Sequence, residues 1–241
     1  MNVVCADCLS RRQFLPLKKM FLLAALITTL VFTSHISAQD KVSGVKENAE
    51  ARAELKTLLS KLNTFSSGFE QRIEDAQGQI LQVSNGMMKL RKPNQLRWEV
   101  RSPDESLFIA DGATVYNLDP FVEQVTLLDQ SSIVGNNPLM LLISNDDEAW
   151  DQVSINRVES IDEVEQSSFM IKSLAPDANI VTLALSFHAG KLMRLVSEDR
   201  QQQINHIVFS DVRQNLALND DDFSIDIPNS YFVDDQRQNA Q

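Results

Sequence analysis

Residues 89–128 read KLRKPNQLRWEVRSPDESLFIADGATVYNLDPFVEQVTLL. Within this stretch, four short runs alternate apolar and polar residues, which is the period of a strand with one buried face. Sequences that favour chain reversal separate the runs; they are Lys92-Pro93-Asn94, Ser102-Pro103-Asp104, Asp111-Gly112 and Asp119-Pro120. The stretch therefore predicts an antiparallel meander, around which the rest of the chain must pack.

The predicted meander has one apolar face. In a register that alternation alone leaves open, its members are Leu90, Leu96, Trp98, Val100, Leu107 and Ile109. A sheet with such a face is stable only when another apolar element covers it. The elements that cover this face therefore become candidates for the functional part of the protein.

Two helical segments could provide that cover. Between residues 42 and 62, apolar residues recur at helical spacing, which predicts an amphipathic helix. A second, brief helix is predicted after Asn137, the N-cap, with Pro138 at its first position. The body of this second helix is almost entirely apolar and consists of Leu139, Met140, Leu141, Leu142 and Ile143. Because so short a helix needs packing to persist, it is interpreted as a lid lying on the sheet.

The remaining sequence predicts further strands. One ends at Asp75-Ala76-Gln77-Gly78, and the next covers residues 79–91 with Asn85-Gly86 marking a bulge or turn within it. In the second half, strands are predicted over residues 150–158, 168–174, 180–187, 191–197 and 204–210, with a tight hairpin at Ala189-Gly190. Strands interrupted by two helical pieces, without a repeat or a linker, predict a single α+β domain. We expect a strongly curved antiparallel sheet with helices against its concave face.

The first 38 residues have the layout of a secretory signal peptide. Lys18 and Lys19 precede an apolar run over residues 20–32, which is short for a membrane span, and the small residue Ala38 follows. Residues 10–15, SRRQFL, also resemble a twin-arginine export signal, so the export route stays open. Another interpretation is that translation starts nearer Lys18. Residues 39–241 are predicted to form the exported domain.

The exported domain would be acidic and free of cysteine. Cys5 and Cys8 precede the apolar run and would be lost on cleavage, so neither a disulfide nor a thiol nucleophile is expected. The 18 basic and 32 acidic residues that remain give a net charge near −14. Such a protein is repelled by nucleic acid and by anionic lipid surfaces. If it handles lipid, it must do so through local apolar contacts.

Candidate catalytic or metal-ligating groups are sparse. His188 and His206 lie in or beside predicted strands without H-x-x-H spacing, so no metal site is expected. Asp220-Asp221-Asp222 lacks the glycine and the distal glutamate of a calcium loop and is interpreted as a solvated acidic turn. The sequence contains no G-x-S-x-G elbow and no phosphate-binding loop. We therefore expect no catalytic residues, no cofactor and no enzyme activity.

For the apolar residues, core and binding site are difficult to separate. A tryptophan such as Trp98 on the apolar face of a sheet is more often core than ligand contact, but in a sheet that encloses a cavity the two roles coincide. The Met87-Met88 pair and the apolar run over residues 139–142 leave the same alternatives open. Methionine and leucine also suit a surface that repacks around variable acyl chains.

Several irregular motifs, in one order along the chain, carry a family resemblance. They are K-P-N-x-x-R-W at 92–98, P-D-E-S at 103–106, I-A-D-G-x-T-V-Y at 109–116 and D-P-F-V-E-Q-V-T at 119–126. The pattern continues with N-P-L-M-L-L at 137–142 and V-D-D-Q-R at 233–237. Together they resemble the periplasmic outer-membrane lipoprotein carrier proteins of Gram-negative bacteria, over most of the chain that follows the export signal.

The resemblance implies an unclosed antiparallel β-barrel with a helical lid over a hydrophobic cavity, which takes the acyl chains of lipoproteins in the periplasm. The cavity and lid would use Leu90, Leu96, Trp98, Leu107, Ile109 and the 138–143 helix. The implied partners are the lipoprotein cargo, an inner-membrane ABC transporter that supplies it and an outer-membrane receptor lipoprotein that accepts it. No covalent chemistry is implied, and a monomer is expected.

The resemblance is imperfect at one position that matters for the lid. Members of the family carry an arginine before the proline of the meander's first turn, where its donors hold the lid helix; here the residue is Lys92. Lysine keeps the charge but loses the planar donor fork, so the lid should close less firmly.

Two other functions stay open on the sequence. One is a different lipid-binding or sensor module on the same half-barrel, including the receptor itself, although a receptor lipoprotein would need a cysteine after the apolar run. The other is a periplasmic hydrolase, which would need two carboxylates facing each other inside the cavity. No spacing in the sequence predicts such a pair.

Overall fold

The computed structural model describes residues 44–131, 141–143, 147–158 and 166–237. Helix α1, Gly44–Ser60, comes first and confirms the predicted amphipathic helix. The strands are β1 (Thr64–Glu74), β2 (Ile80–Arg91), β3 (Gln95–Ser102), β4 (Ser106–Ala110), β5 (Thr114–Asp119), β6 (Gln124–Asp129), β7 (Val153–Val158), β8 (Gln166–Ser173), β9 (Ile180–His188), β10 (Lys191–Asp199), β11 (Ile204–Gln214) and β12 (Phe232–Asp235). A short helix α2, Glu148–Asp151, precedes β7, and a 3-10 turn, Asp220–Phe223, lies between β11 and β12.

The strands form one twelve-stranded sheet in the order β12-β6-β5-β4-β3-β2-β1-β11-β10-β9-β8-β7. Every neighbouring pair is antiparallel except β12 and β6, which run parallel. In the described ranges no pairing joins the edge strands β12 and β7, so the curved sheet stays unclosed. The predicted α+β class and the unclosed, mainly antiparallel sheet are therefore confirmed. The parallel strand β12 was not predicted, because a four-residue edge strand containing two aspartates has little strand propensity.

Most predicted boundaries are confirmed, since local turn chemistry sets them. All four turns of the meander separate consecutive strands, and Asn85-Gly86 is a bulge in the pairing of β2 with β3. Two boundaries differ by three residues or more. Strand β11 continues to Gln214, four residues past its predicted end at residue 210. The strand predicted to begin at Trp150 begins at Val153 instead, because Glu148–Asp151 form helix α2. Trp150 is buried, but it belongs to this helix and not to the strand.

Strand pairing places part of the predicted apolar face on one side of the sheet. Leu90 is opposite Leu96, and Met88 is opposite Trp98. Residues paired in this way project to the same side. We call this side the inner face. Its core is a cluster of buried side chains from β1–β2, β7–β11, helix α1 and residues 141–143, against which Leu96 and Trp98 pack.

The same pairing corrects the prediction for Leu107 and Ile109. Leu107 is opposite Glu99, and Ile109 is opposite Arg97, so both lie on the other side of the sheet from Trp98. We call this side the outer face. Apolar alternation has no absolute phase, and the 103–105 turn joins β3 to β4 so that the apolar positions of β4 fall out of step with those of β3.

The C-terminal segment covers part of the outer face. A second cluster of buried side chains, Leu118, Val125 and Leu127, packs there with Leu107 and Tyr116. Its cover comes from the segment between the 3-10 turn and β12, which contributes Ile225, Ile227 and Tyr231. The outer face of this half of the sheet is thus covered by the C-terminal segment. None of the helices in the described ranges is long and apolar enough to cross a membrane.

Candidate functional site

The inner face between β1 and β3 is lined by large apolar side chains. Phe65 and Leu90 are buried and face each other across β1 and β2. The rings of Phe69 and Trp98 are stacked, with centroids 4.2 Å apart and planes inclined by 30°. This stack depends on Gly86, since a Cβ there would lie 2.7 Å from Phe69 Cζ. The glycine in the bulge therefore allows two aromatic rings to meet over the sheet.

Helix α1 lies over the inner face and contributes apolar side chains to it. Leu55 and Leu59 are fully buried in the inner cluster. The Arg52 guanidinium fastens the helix to the start of β7, because it donates to the backbone carbonyls of Trp150 and Val153, the latter at 2.8 Å. These bonds join a helix and a strand that are far apart in the sequence. Helix α1 is therefore a cover held at a defined place.

Lys92 contacts helix α1. Its ammonium Nζ donates to the carbonyl oxygen of Leu59 at 3.0 Å, and its backbone N–H donates to Asn63 at 2.8 Å. Burial lowers the pKa of Lys92 from its ordinary value. Among the described residues, the hydrogen bonds of Lys92 go to α1 and the residues after it. The prediction that Lys92 also bonds carbonyls at the end of the 138–143 helix stays a prediction. The cation still sits at a helix C-terminus, where the helix dipole favours it.

Residues 141–143 are the described part of the predicted lid. Leu141, Leu142 and Ile143 are all buried in the inner cluster, and the carbonyl oxygen of Ile143 accepts a hydrogen bond from the backbone N–H of Asn94 at 3.0 Å. This bond ties the segment to the turn between β2 and β3. Pro138, Leu139 and Met140 lie outside the described residues, so the lid helix as a whole stays a prediction.

The outer face of β2 is polar, unlike the inner face. Lys89 pairs with Asp222 at 2.6 Å, and Arg91 pairs with Asp220 at 2.7 Å while its guanidinium lies 4.8 Å from the centroid of the Phe223 ring. The hydrogen bond from Lys89 lowers the pKa of Asp222. Arg91 is next to Lys92 in the chain, but its side chain bonds Gln95, Leu218 and Asp220 on the outer face. The acidic turn at residues 220–222 was predicted to be solvated, but two of its three aspartates form ion pairs with β2.

Ion pairs also occupy the outer face of β3. Arg101 Nε lies 2.8 Å and Arg97 Nη2 lies 3.0 Å from the Glu99 carboxylate. Burial raises the pKa of Glu99, but the hydrogen bonds from the two arginines outweigh it and the net shift is downward. A face that holds such charges is a poor surface for acyl chains, because an acyl chain bound there would remove water from the charged groups at a high free-energy cost. The inner face is therefore the candidate binding surface.

The structure divides the predicted site residues into three groups. Leu90, Leu96 and Trp98 are together on the inner face, near residues 141–143. The outer-face residues Leu107 and Ile109 are separated from them by the thickness of the sheet. Lys92 lies at the end of α1. The remaining three residues, 138–140, are outside the described ranges.

Sequence reasoning missed several residues of the inner face. Phe65 and Phe69 alternate with Ser66 and Gly68 along β1, and this short alternation was a usable signal for the strand face. No local signal pointed to Arg52, since its partners Trp150 and Val153 are about one hundred positions away. In the part of the chain that the structure describes, no group of three metal-ligating side chains occurs.

The family model of the outer membrane lipoprotein carrier protein LolA matches residues 60–226 of this chain. The chain belongs to the LolA family. An outer-membrane lipoprotein carrier protein of Shewanella sediminis is 30% identical over 202 residues, covering 83% of this chain and 92% of the relative. Another, of Aeromonas salmonicida, is 32% identical over 190 residues and covers 78% and 91% of the two chains.

Solved structures that this chain resembles include a LolA superfamily protein from Nitrosomonas europaea. It is 12% identical, with a TM-score of 0.42, and covers 73% of this chain and 97% of that chain. The matched region of the LolA family model begins at the end of α1 and includes β1 to β11, so every strand of the inner face lies within it.

Proposed function

We propose that this LolA-family protein is a periplasmic chaperone that binds the acyl chains of lipoproteins on its inner face and carries them to the outer membrane. The observation that supports the proposal is the asymmetry of the sheet. The inner face of β1–β3 is apolar and is covered by α1 and residues 141–143, whereas the outer face of β2 and β3 holds ion pairs. Family membership indicates the class of cargo.

The free energy gained by burying an acyl chain is large enough for the cargo to replace the segment that covers the inner face. Burial contributes about 0.8 kcal/mol per methylene group, so one acyl chain of about 16 carbons contributes roughly 12 kcal/mol. A Leu or Ile side chain contributes about 1.5–3 kcal/mol when fully buried. A single acyl chain can therefore replace the contacts of Leu141, Leu142 and Ile143 on the sheet. Binding by displacement of an apolar cover needs no covalent step and no cofactor.

The complete proposal includes delivery as well as binding. An inner-membrane ABC transporter would supply the lipoprotein, and an outer-membrane receptor lipoprotein would accept it, with the cargo moving towards the protein that offers the more favourable apolar surface. A net charge near −14 on the exported chain favours transfer through protein contacts over adsorption to anionic lipid. In this scheme the carrier acts as a monomer in the periplasm.

Photo-crosslinking at paired positions on the two faces tests the proposal. A photoreactive residue replaces Leu96 on the inner face in one variant and Leu107 on the outer face in a matched control. Each purified variant is mixed with a detergent-solubilised lipoprotein, and with the same lipoprotein lacking its acyl chains, and is then irradiated. We expect a cross-linked product from Leu96 with the acylated cargo and none from Leu107.

Three results would contradict the proposal. They are equal cross-linking from both faces, cross-linking of the non-acylated cargo with the same yield, and absence of any product from Leu96 although the variant is folded. Folding of each variant is checked by the emission of Trp98 and Trp150, the two tryptophans of the chain.

A further inference from the structure

Large apolar side chains are exposed together at the β12 edge of the sheet. Phe121 is 89% exposed and Val122 57% exposed in the turn between β5 and β6; Phe232 is 65% exposed and Val233 47% exposed at the start of β12. The backbone N–H of Phe232 donates to the carbonyl oxygen of Glu123 at 2.8 Å, so the two segments lie side by side. As consecutive strand residues, Phe232 and Val233 project to opposite sides of β12, so the exposed apolar surface continues around the edge of the sheet. We call these four apolar residues the edge patch.

The edge patch is held in a defined conformation. The Asp119 carboxylate accepts hydrogen bonds from the backbone N–H groups of Phe121 at 2.9 Å and Val122 at 3.4 Å. Glu123 completes the turn at a positive φ of 52°. Phe232 is fixed by the parallel pairing of β12 with β6. Because the backbone is already ordered, a partner that buries these rings loses little conformational entropy on binding.

Carboxylates border the edge patch. Asp119 and Glu123 flank the turn, and Asp234 and Asp235 follow Phe232 and Val233 along β12. Among the described residues, Asp235 has a cationic partner, Arg237 at 2.5 Å, whereas the other three carboxylates form no ion pair. The border of the patch is therefore negative, and a surface that meets it should be positive.

We propose that the edge patch docks a second protein whose surface presents an apolar recess bordered by lysine and arginine. Anionic lipid is disfavoured as the occupant by the carboxylates at the border. A second copy of this chain is also disfavoured, because a two-fold contact would bring two acidic borders together. Exposed, rigid aromatic rings at the centre and complementary charge at the border form the usual arrangement of an interface hot spot.

This docking surface is distinct from the inner face, and the inference does not depend on the proposed function. The edge patch lies at β5–β6 and β12, while the inner-face residues Phe69 and Trp98 belong to β1 and β3. The protein could therefore hold a ligand on the inner face and a partner on the edge patch at the same time.

Photo-crosslinking of the full chain in a Gram-negative periplasm identifies the partner. A photoreactive residue replaces Phe121 in one strain and Ile80 in the control; Ile80 is 58% exposed at the start of β2, outside the edge patch. We expect one protein to be captured from Phe121 and not from Ile80, through a segment with apolar residues next to lysine or arginine. Capture of only a second copy, only lipid, or nothing would overturn the proposal, as would equal capture from Ile80.

Binding of the purified, captured protein then tests the chemistry. Phe121→Ser should weaken binding at least tenfold, and Ile80→Ser should leave it unchanged. The double substitution Glu123→Gln with Asp234→Asn should slow association and flatten its dependence on salt. Unchanged binding by Phe121→Ser, or salt-independent binding of the unsubstituted chain, would overturn the docking surface. Phe121→Ser should bind acylated cargo as the unsubstituted chain does. Cargo binding therefore tests the carrier function, and partner binding tests the edge patch independently.

Discussion

Replacing Gly86 by alanine should break the contact between β2 and β3 that supports the inner face. A Cβ at this position would lie 1.9 Å from the carbonyl oxygen of Glu99 and 2.7 Å from Phe69 Cζ. The Glu99 oxygen belongs to the backbone of β3, so it cannot rotate away as a side-chain atom could. The strands must separate locally, or the bulge at Asn85-Gly86 must move.

The distances set the size of the effect. Ordinary contact begins near 3.4 Å, so the Glu99 carbonyl and the new methyl group must move apart by at least about 1.5 Å. A shift of that size also separates the rings of Phe69 on β1 and Trp98 on β3, which meet over β2. Ordinary overpacking costs about 1–3 kcal/mol, whereas damage to a strand ladder and its core reaches the rare range above that. We expect Gly86→Ala to lose about 3–5 kcal/mol of unfolding free energy.

Urea denaturation, followed by tryptophan fluorescence and circular dichroism, measures this loss. Gly68→Ala is the matched control on the neighbouring strand: its Cβ would lie 2.7 Å from Ser210 Oγ, a side-chain atom that can rotate. We expect the control to cost about 1 kcal/mol. A Gly86→Ala protein within about 1 kcal/mol of the unsubstituted chain, or a control that is equally destabilised, would refute the reasoning.

Three further substitutions test individual polar groups. Ser67→Ala should raise the unfolding free energy by about 1 kcal/mol in urea denaturation, because Ser67 Oγ is buried and has no hydrogen-bond partner among the described residues. Asp222→Asn should destabilise the protein at neutral pH, since the hydrogen bond from Lys89 lowers the pKa of Asp222. The stabilisation by the ionised Asp222 is complete above the ordinary pKa of 3.8 and is lost as the pH falls through the lowered pKa of the folded state. Thermal unfolding measured across that pH range checks this loss. Lys92→Met should cost about 1 kcal/mol and speed amide exchange in the last turn of α1, because the bond to Leu59 is removed.

Each of these substitutions has a control in the same region. Ser84→Ala should destabilise the protein where Ser67→Ala stabilises it, because the Ser84 hydroxyl donates to Gln71 Oε1 at 3.0 Å. Asp221→Asn and Lys61→Met should each stay within about 0.5 kcal/mol of the unsubstituted chain, since both residues are exposed. Equal effects in a substitution and its control would contradict the assigned contact.

Local sequence patterns were sufficient to predict much of the fold. The meander between β2 and β6 follows from proline, glycine and asparagine in its turns, and α1 follows from apolar residues at helical spacing. These signals need only neighbouring residues, because turn geometry and amphipathic periods are properties of short segments. The motifs around Trp98 and Phe121 were likewise sufficient to indicate the family that the comparison with known proteins then established.

Contacts between distant segments decided the rest. Alternation predicted that Leu107 and Leu96 are strand residues, but the pairing of β3 with β4 placed them on opposite faces, because alternation carries a period without a phase. The bond from Lys92 to Leu59 was not predicted either, since which carbonyl at the end of α1 lies within reach depends on how the helix lies over the sheet.

The sequence by itself determined where the chain turns, which segments are amphipathic and which family the motifs resemble. Only the tertiary structure decided which apolar residues share a face and which exposed ones meet at an edge. Phe121 and Phe232 are more than one hundred residues apart and become neighbours because β12 pairs with β6. The physical reason is that local signals arise from backbone and side-chain preferences of a few residues, whereas faces and edges arise from strand register and packing across the whole sheet.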